Sequence, residues 1–474
     1  MIAGKASREA IRAAGAKPLL IRADGRRWTG LDLEKRIAGL AQALVRRGLK
    51  GRRIGVLYWN SPAAIEAHLA IEWIGGTRVP VDPGAPVVEA NAVFAAARVA
   101  AVLTDEAHHG DLHAQTLVHD DDAPLAESGA FEEIEVSPDQ THLLYPRMAA
   151  QGELLAVPLS YANWAASIDV NVSLYRSGAY GPPLAADDRF LSAQQIIHGT
   201  GTLGTFPFLH MGLPQVILRQ FNAAQAAEAI LRHRLTATFF VPGMVTRLAE
   251  TLAAAPRTLS PPLRRILYGG APVEADAMRR AVDILGPVLV QLYGRYEGGW
   301  PLAILGIAEH CAGGQEESLL GRSCGKPIAQ TEIKIRPVSG QAPGFGELCV
   351  RNEMVVREFA DPDGWCGLGD LARIDEQGYL YLAGRLDGMI NTGSYHVYPK
   401  EVVEALTSIP GVREALVCGE PDPTWGQAVT AYIVAESDAG EDLLERAREG
   451  LQGRLARYKI PKRFHLVGSL DEVP

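Results

Sequence analysis

The sequence predicts an α/β protein. It reads as a large N-terminal domain of two layered α/β subdomains plus a β-barrel-like subdomain, with a small α+β C-terminal domain joined by a hinge. Three observations carry this expectation. Strand-type and helix-type runs alternate from residue 18 to 105 and again from about 190 to 275, the pattern of parallel sheets covered by helices. From about 305 to 380 the runs are β-type instead, TEIKIRPV, GELCVR and GYLYLAG, which suggests a barrel-like part. A glycine-bearing joint near residues 386–388 then separates residues 1–386 from 387–474. A chain of 474 residues is too long for one ordinary core.

Taken in order, residues 18–30 form a strand pair turning at Asp24-Gly25, and 31–47 a helix stopped by Gly48. A buried strand over 53–59 leads to an amphipathic helix over 62–74, ended by Gly75-Gly76. Strand 79–83, helix 87–97 and strand 100–105 complete the first layer. Residues 108–122 are rich in His and Asp, but their spacing fits no zinc pattern, so they are read as a solvated variable loop. The second layer has strand-like FLSAQQII, strand 214–218, helix 223–232, strand 236–242, and a strand running into a turn over 263–272. The last part reads helix 399–408, strands 412–418 and 428–435, helix 441–457 and strand 463–468.

Composition excludes some functions. A net charge of -9 without a long basic block argues against nucleic acid. No apolar run reaches membrane-spanning length. The first 17 residues lack a secretory apolar core and read as a plain surface helix rather than a transit peptide. Five scattered cysteines with no Cys-x-x-Cys suit a reducing cytoplasm. Gly199 to Gly204 spells G-x-G-x-x-G, but no acid lies about twenty residues on, as a dinucleotide site requires. These glycines are read as letting a helix pack closely beside a pocket.

The chemistry concentrates in residues 364–400. Asp370 is an acceptor-only group suited to two sugar hydroxyls, and Arg385 is a permanent cation suited to phosphate. The stretch contains Gly364-Trp365, Leu368-Gly369-Asp370, Gly384-Arg385 and Tyr398-Pro399-Lys400-Glu401-Val402. In this order it resembles the C-terminal signature of the adenylate-forming ligases: acyl- and aryl-CoA synthetases, carrier-protein adenylation domains and luciferases. Their further pattern Tyr-Gly-x-Thr-Glu is similar to Tyr293-Gly294-Arg295-Tyr296-Glu297.

The resemblance implies a set of roles. Tyr293 stacks on adenine, Gly294 admits a ligand close to the backbone, and Tyr296 stands where a phosphate-contacting threonine is expected. Glu297 holds magnesium; it and Arg385 are the catalytic candidates. Gly269, Gly270, Ala271 and Pro272 line the adenine and acyl pocket, with His198, Gly298, Gly299 and Trp300 around the acid. Trp300 hints at a small or aromatic acid. Thr392-Gly393-Ser394 faces the thiol arm, and Gly388, beside Asp387, is the hinge. The implied reactants are ATP with Mg2+, a small-molecule carboxylic acid, and coenzyme A or the pantetheine of an acyl carrier protein. A monomer and a homodimer are both compatible with the sequence.

The chain departs from the family at its phosphate loop, expected as Tyr-Thr-Ser-Gly-Thr-Thr-Gly-x-Pro-Lys-Gly. Between Leu144-Tyr145 and Leu159-Ser160-Tyr161 it has lost that loop's Ser, Thr and Lys and all but one Gly; Arg147 is the local cation. The sequence also stops at Pro474, before the run that carries the family's catalytic lysine. Two alternatives therefore stand beside an acid–thiol ligase. One is a ligase-fold protein that binds acyl, nucleotide or CoA groups without adenylating; the other is an ATP-independent acyl transferase.

Overall fold

The computed structural model describes residues 1–105, 112–123, 131–148, 154–254, 261–271, 275–311, 319–339, 341, 343–386, 388–393, 395–436, 439–440, 442–470 and 473. Two large sheets dominate the N-terminal part. The first is six-stranded, in the order Thr116–Val118, Ala101–Thr104, Arg53–Leu57, Thr77–Pro80, Thr141–Met148, Leu154–Ser160. Its pairs are parallel except the last, which is an antiparallel hairpin. The second is nine-stranded, with a parallel middle and antiparallel edges.

Two helices lie at the centre of the core. Pro62–Trp73 is buried at every position, capped by Ser61 and begun by proline at its first turn. Gly199–His210 is buried along almost all of its length. The principal apolar cluster joins Leu20, Ile54, Val56, Ile71, Phe190 and Phe206, so it takes side chains from both sheets and both helices. The G-x-G-x-x-G glycines open the second helix, and they do serve close packing. A Cβ on Gly204 would come 2.1 Å from Phe190 Cζ.

The β-rich part is a four-stranded antiparallel sheet, Glu332–Pro337, Gly346–Arg351, Cys366–Ile374, Leu380–Arg385. The C-terminal sheet is five-stranded. It contains Tyr395–Val397, Ile390–Thr392, Gly426–Ala435, Val412–Asp422 and Arg463–Leu466, with Pro399–Thr407 and Leu443–Leu451 packed in its own core. Among the described residues no helix is long and apolar enough to cross a membrane.

Some expectations need correction. The described part of the His/Asp segment is not a free loop: Thr116–Val118 is an edge strand on Ala101–Thr104. His119 is buried, with Nε2 2.7 Å from Glu66 Oε2, and Arg36 Nε lies 2.6 Å from Glu66 Oε1. The reason is Glu66 itself, fully buried on the central helix and costly to leave unpaired. The N-terminal helix Lys5–Ala14 is not a plain surface helix either, since it buries Arg8 over the Trp73 ring at 4.6 Å. The glycine-bearing loop before Pro399 contains a short hairpin, Ile390–Thr392 with Tyr395–Val397. The last helix ends at Leu451 rather than 457.

Candidate active site

Three strands of the larger sheet, Phe190–Ser192, Arg265–Gly269 and Leu289–Arg295, run in the same direction. Their carboxyl ends hand over to His198, Gly270 and Tyr296-Glu297, and such ends are where open α/β sheets bind ligands. The four-stranded sheet delivers the other half of the site. Asp370 and Arg385 are direct cross-strand neighbours. Arg385 Nη1 donates to Asp370 Oδ1 at 2.9 Å and to the Leu368 carbonyl at 2.6 Å. Gly369, at φ 67°, makes this crossing possible: a Cβ there would sit 2.9 Å from Arg385 Nη2.

Tyr293 joins the pair by donating its hydroxyl to Asp370 Oδ2 at 2.5 Å. Burial, then the Asp370 carboxylate, pushes that phenol far above its ordinary pKa, so it stays a donor. Arg295 Nε lies 3.9 Å from the same Asp370 oxygen and 3.7 Å from Glu297 Oε2. Asp370, Arg385, Tyr293 and Glu297 thus lie together around Arg295, which stands at the variable position of the Tyr-Gly-x-Thr-Glu pattern. Gly270, Ala271, Tyr293, Asp370, Arg385 and Gly388 all border one cavity of about 580 Å³, as do Gly269 and Gly294.

A smaller cavity of about 70 Å³ adjoins it, bordered by His198, Leu203, Phe239, Gly270, Tyr296 and Trp300. Tyr296 does not simply replace a threonine. Its hydroxyl accepts the Gly199 N–H at 3.2 Å, occupying an amide at the start of a helix. Its ring packs 4.1 Å from Tyr145 and edge-on to Trp300 at 5.6 Å. Gly298 does not border this cavity. The position of its missing side chain is filled by Leu368 and Val350, 2.7 and 2.9 Å from where a Cβ would be. Gly299 likewise faces Met354.

His198 borders the small cavity, an inner cavity of about 130 Å³ that also contacts Glu297, and a wide one of about 1260 Å³ between the N- and C-terminal parts. Burial pushes its imidazole pKa down, and its ring meets Tyr395 edge-on at 4.7 Å. Thr392 and Gly393 border the wide cavity, and the Gly393 N–H donates to Trp425 O at 2.8 Å. Gly388 has φ 68° and open space around it. Pro272, Asp387 and Ser394 lie outside the described residues, as does the middle of the expected phosphate loop, 149–153. Thr141–Met148 and Leu154–Ser160 frame that loop as a hairpin.

A second contact ties the two parts together. Lys459 Nζ lies 2.6 Å from Glu89 Oε1 and 2.8 Å from Glu401 Oε1, and its side chain is 4% exposed. Asn391 Nδ2 also donates to Gly270 O at 2.7 Å. Nothing local marks Lys459 for this role, because Glu89 is 370 positions away. Among the described residues no group of three or more His, Cys, Asp or Glu is arranged as a metal cage. Mg2+ suits this setting, since it commonly takes one or two carboxylates and completes its shell with phosphate oxygens and water; Glu297 would hold it.

The sequence matches the AMP-binding enzyme family over residues 7–359 and the AMP-binding enzyme C-terminal domain over 401–473. It is 31% identical over 470 residues to a feruloyl-CoA synthase of an Amycolatopsis species, covering 93% of this chain and 90% of that enzyme. Among solved structures, the amide bond synthetase McbA of Marinactinospora thermotolerans superposes with a TM-score of 0.85 at 28% identity, covering 98% and 96% of the two chains. The o-succinylbenzoate CoA synthetase MenE of Bacillus subtilis, 25% identical, superposes at 0.84 when bound with its product analogue OSB-NCoA, covering 99% and 95%. That structure is of a double mutant; the synthetase in complex with AMP superposes at 0.71, covering 99% and 96%. The chain belongs to the AMP-binding enzyme family, the adenylate-forming superfamily that includes the AMP-forming acid–CoA ligases.

Proposed function

We propose that the protein joins a small or aromatic carboxylic acid to the thiol of coenzyme A through an acyl-adenylate. The observation that carries this reading is the convergence of Asp370, Arg385 and Tyr293 on one cavity beside a small apolar pocket, with Glu297 linked to Asp370 through Arg295 and bordering the neighbouring inner cavity. A carboxylate lacks a usable leaving group. Its oxygen attacks the α-phosphorus of ATP, pyrophosphate departs, and a mixed anhydride with AMP results. Asp370 accepts the ribose hydroxyls, Arg385 fixes the carboxylate and adds positive charge, and the ring of Tyr293 flanks adenine. Glu297 would hold Mg2+, which when bound would supply positive charge for the departing phosphates. In the second step the thiol sulfur attacks the anhydride carbonyl, AMP leaves with the bonding pair, and the thiol proton is released.

The wide cavity supports CoA as acceptor. Arg247, Arg448, Arg457 and Lys462 border it, while His198 and Tyr395 mark its inner end, a layout for a phosphate-bearing molecule with a reactive tip. Thr392 and Gly393 lie along that route. The small pocket, narrowed by Tyr296 and Trp300, favours a compact or planar acid; an aromatic acid agrees with the feruloyl-CoA relative. The pantetheine of a carrier protein is the competing acceptor. In this proposal residues 1–386 and 387–474 rotate against each other about Gly388 between the two steps, and the protein works in the cytoplasm. Carboxylate-dependent exchange of labelled pyrophosphate into ATP across aromatic and short aliphatic acids tests the first step. Exchange with at least one acid is expected; no exchange and no ATP binding by calorimetry would leave the non-adenylating alternative.

A further inference from the structure

Arg295 stands apart from the other cations of the site. It is 7% exposed, and its Nε is buried without a hydrogen-bond partner. Its nearest carboxylates, on Glu297 and Asp370, are 3.7 and 3.9 Å away, outside hydrogen-bonding distance for N–H···O. They neutralise the guanidinium without using that donor. Arg385, by contrast, is hydrogen-bonded to Asp370 and Leu368, and Arg322, on the wall of the larger cavity, is exposed. Arg295 borders both that cavity and the small apolar one, so it sits where the two meet. A group joining a nucleoside to an acyl chain must cross that junction.

The surrounding sequence makes a cation here consequential. The segment expected to cradle phosphates has lost its hydroxyls and lysine, and Tyr296 engages the Gly199 amide. Positive charge and directional donors for a phosphate must then come from elsewhere on the wall. A guanidinium offers five donors in a planar fork matched to phosphate oxygens, and a buried one keeps its charge where water screens it little.

We propose that Arg295 binds the phosphate that links nucleoside to acyl group, drawing its side chain from the two carboxylates onto the phosphate oxygens. This rests on the reading that the larger cavity holds a nucleotide. Asp370 then recognises the sugar, and Arg295 recognises the charge attached to it.

Calorimetry with AMP and with adenosine separates the two roles. In the wild type, AMP binds at least about tenfold more tightly than adenosine. R295Q lowers AMP affinity roughly 10- to 100-fold and changes adenosine affinity less than about twofold. R295K restores part of the loss, because charge is kept while the fork is not. If AMP and adenosine weaken together, Arg295 only props Asp370 and the proposal fails. Equal wild-type affinities overturn it without any variant, which covers poor folding of R295Q. Wild-type protein that binds neither ligand refutes the nucleotide site itself.

Discussion

Replacing Glu89 by Gln should slow acyl transfer while sparing adenylation. Lys459 carries a buried positive charge shared between Glu89 on the helix Val87–Ala96 and Glu401 on Pro399–Thr407. Burial alone pulls a lysine pKa down, yet the two carboxylates outweigh it and leave Lys459 above its ordinary value. Opposite charges at this separation attract by about 6 kcal/mol at an effective dielectric of 20, before desolvation. The lysine keeps Glu401, and glutamine still accepts a hydrogen bond, so the net loss should be about 1–2 kcal/mol. That loss falls only on the arrangement in which the two parts meet here. The arrangement should therefore become about 5- to 30-fold less populated relative to its alternatives. Single-turnover transfer from a preformed acyl-adenylate to CoA should slow by up to that factor, with pyrophosphate exchange within about twofold of wild type. Equal slowing of both, or transfer at the wild-type rate, would show that Lys459 does not hold the parts together.

Asp370→Ala should weaken both AMP and adenosine by about 1–3 kcal/mol in calorimetry, through lost charge-assisted hydrogen bonds to the ribose; unchanged affinity removes Asp370 from the site. His142 is fully buried, and burial, then Arg78, holds its pKa down at about 4 against the opposing hydrogen bond that it donates to the Glu72 carboxylate. The unfolded chain takes up that proton near pH 6.5, so this stabilisation is complete above that value and lost as pH falls toward 4. About 2 kcal/mol should be gone by pH 5 in denaturant titrations, with a flatter profile in His142→Gln. Identical wild-type stability at pH 7 and 5 would contradict this. Gly204→Ala should cost about 1–3 kcal/mol, because the new methyl collides with the buried Phe190 ring; an unchanged melting temperature would show that the helix can move away.

The parts of the site legible in the sequence are those that local structure brings together. Asp370 and Arg385 face each other because a single hairpin joins their strands, and a run of strand, tight turn and strand is a short-range signal. The packing use of Gly199 to Gly204 was readable because a dinucleotide site needs an acid that is absent downstream. What escaped depends on distant partners. Arg295 fills a variable position in its motif, and only the fold sets it between Asp370 and Glu297. The His119–Glu66–Arg36 cluster spans three elements, and no periodicity in any of them announces it. The expectation of an amphipathic helix over 62–74 is wrong: Pro62–Trp73 is buried on every side, and its polar residues Glu66 and Glu72 are paired inside the core instead of facing water.

The wide cavity has a further consequence. Trp59, Met244 and Arg247 supply one wall and Trp425, Arg457 and Lys462 the other, so neither half alone forms the chamber. Any molecule that touches both walls must favour the geometry that creates them, by the reciprocity of linked equilibria. A non-reactive acceptor mimic should therefore act as a clamp, freezing rotation and holding back release of the nucleotide. Compounds selected only for tight occupancy of this chamber would then inhibit turnover by holding the two parts together.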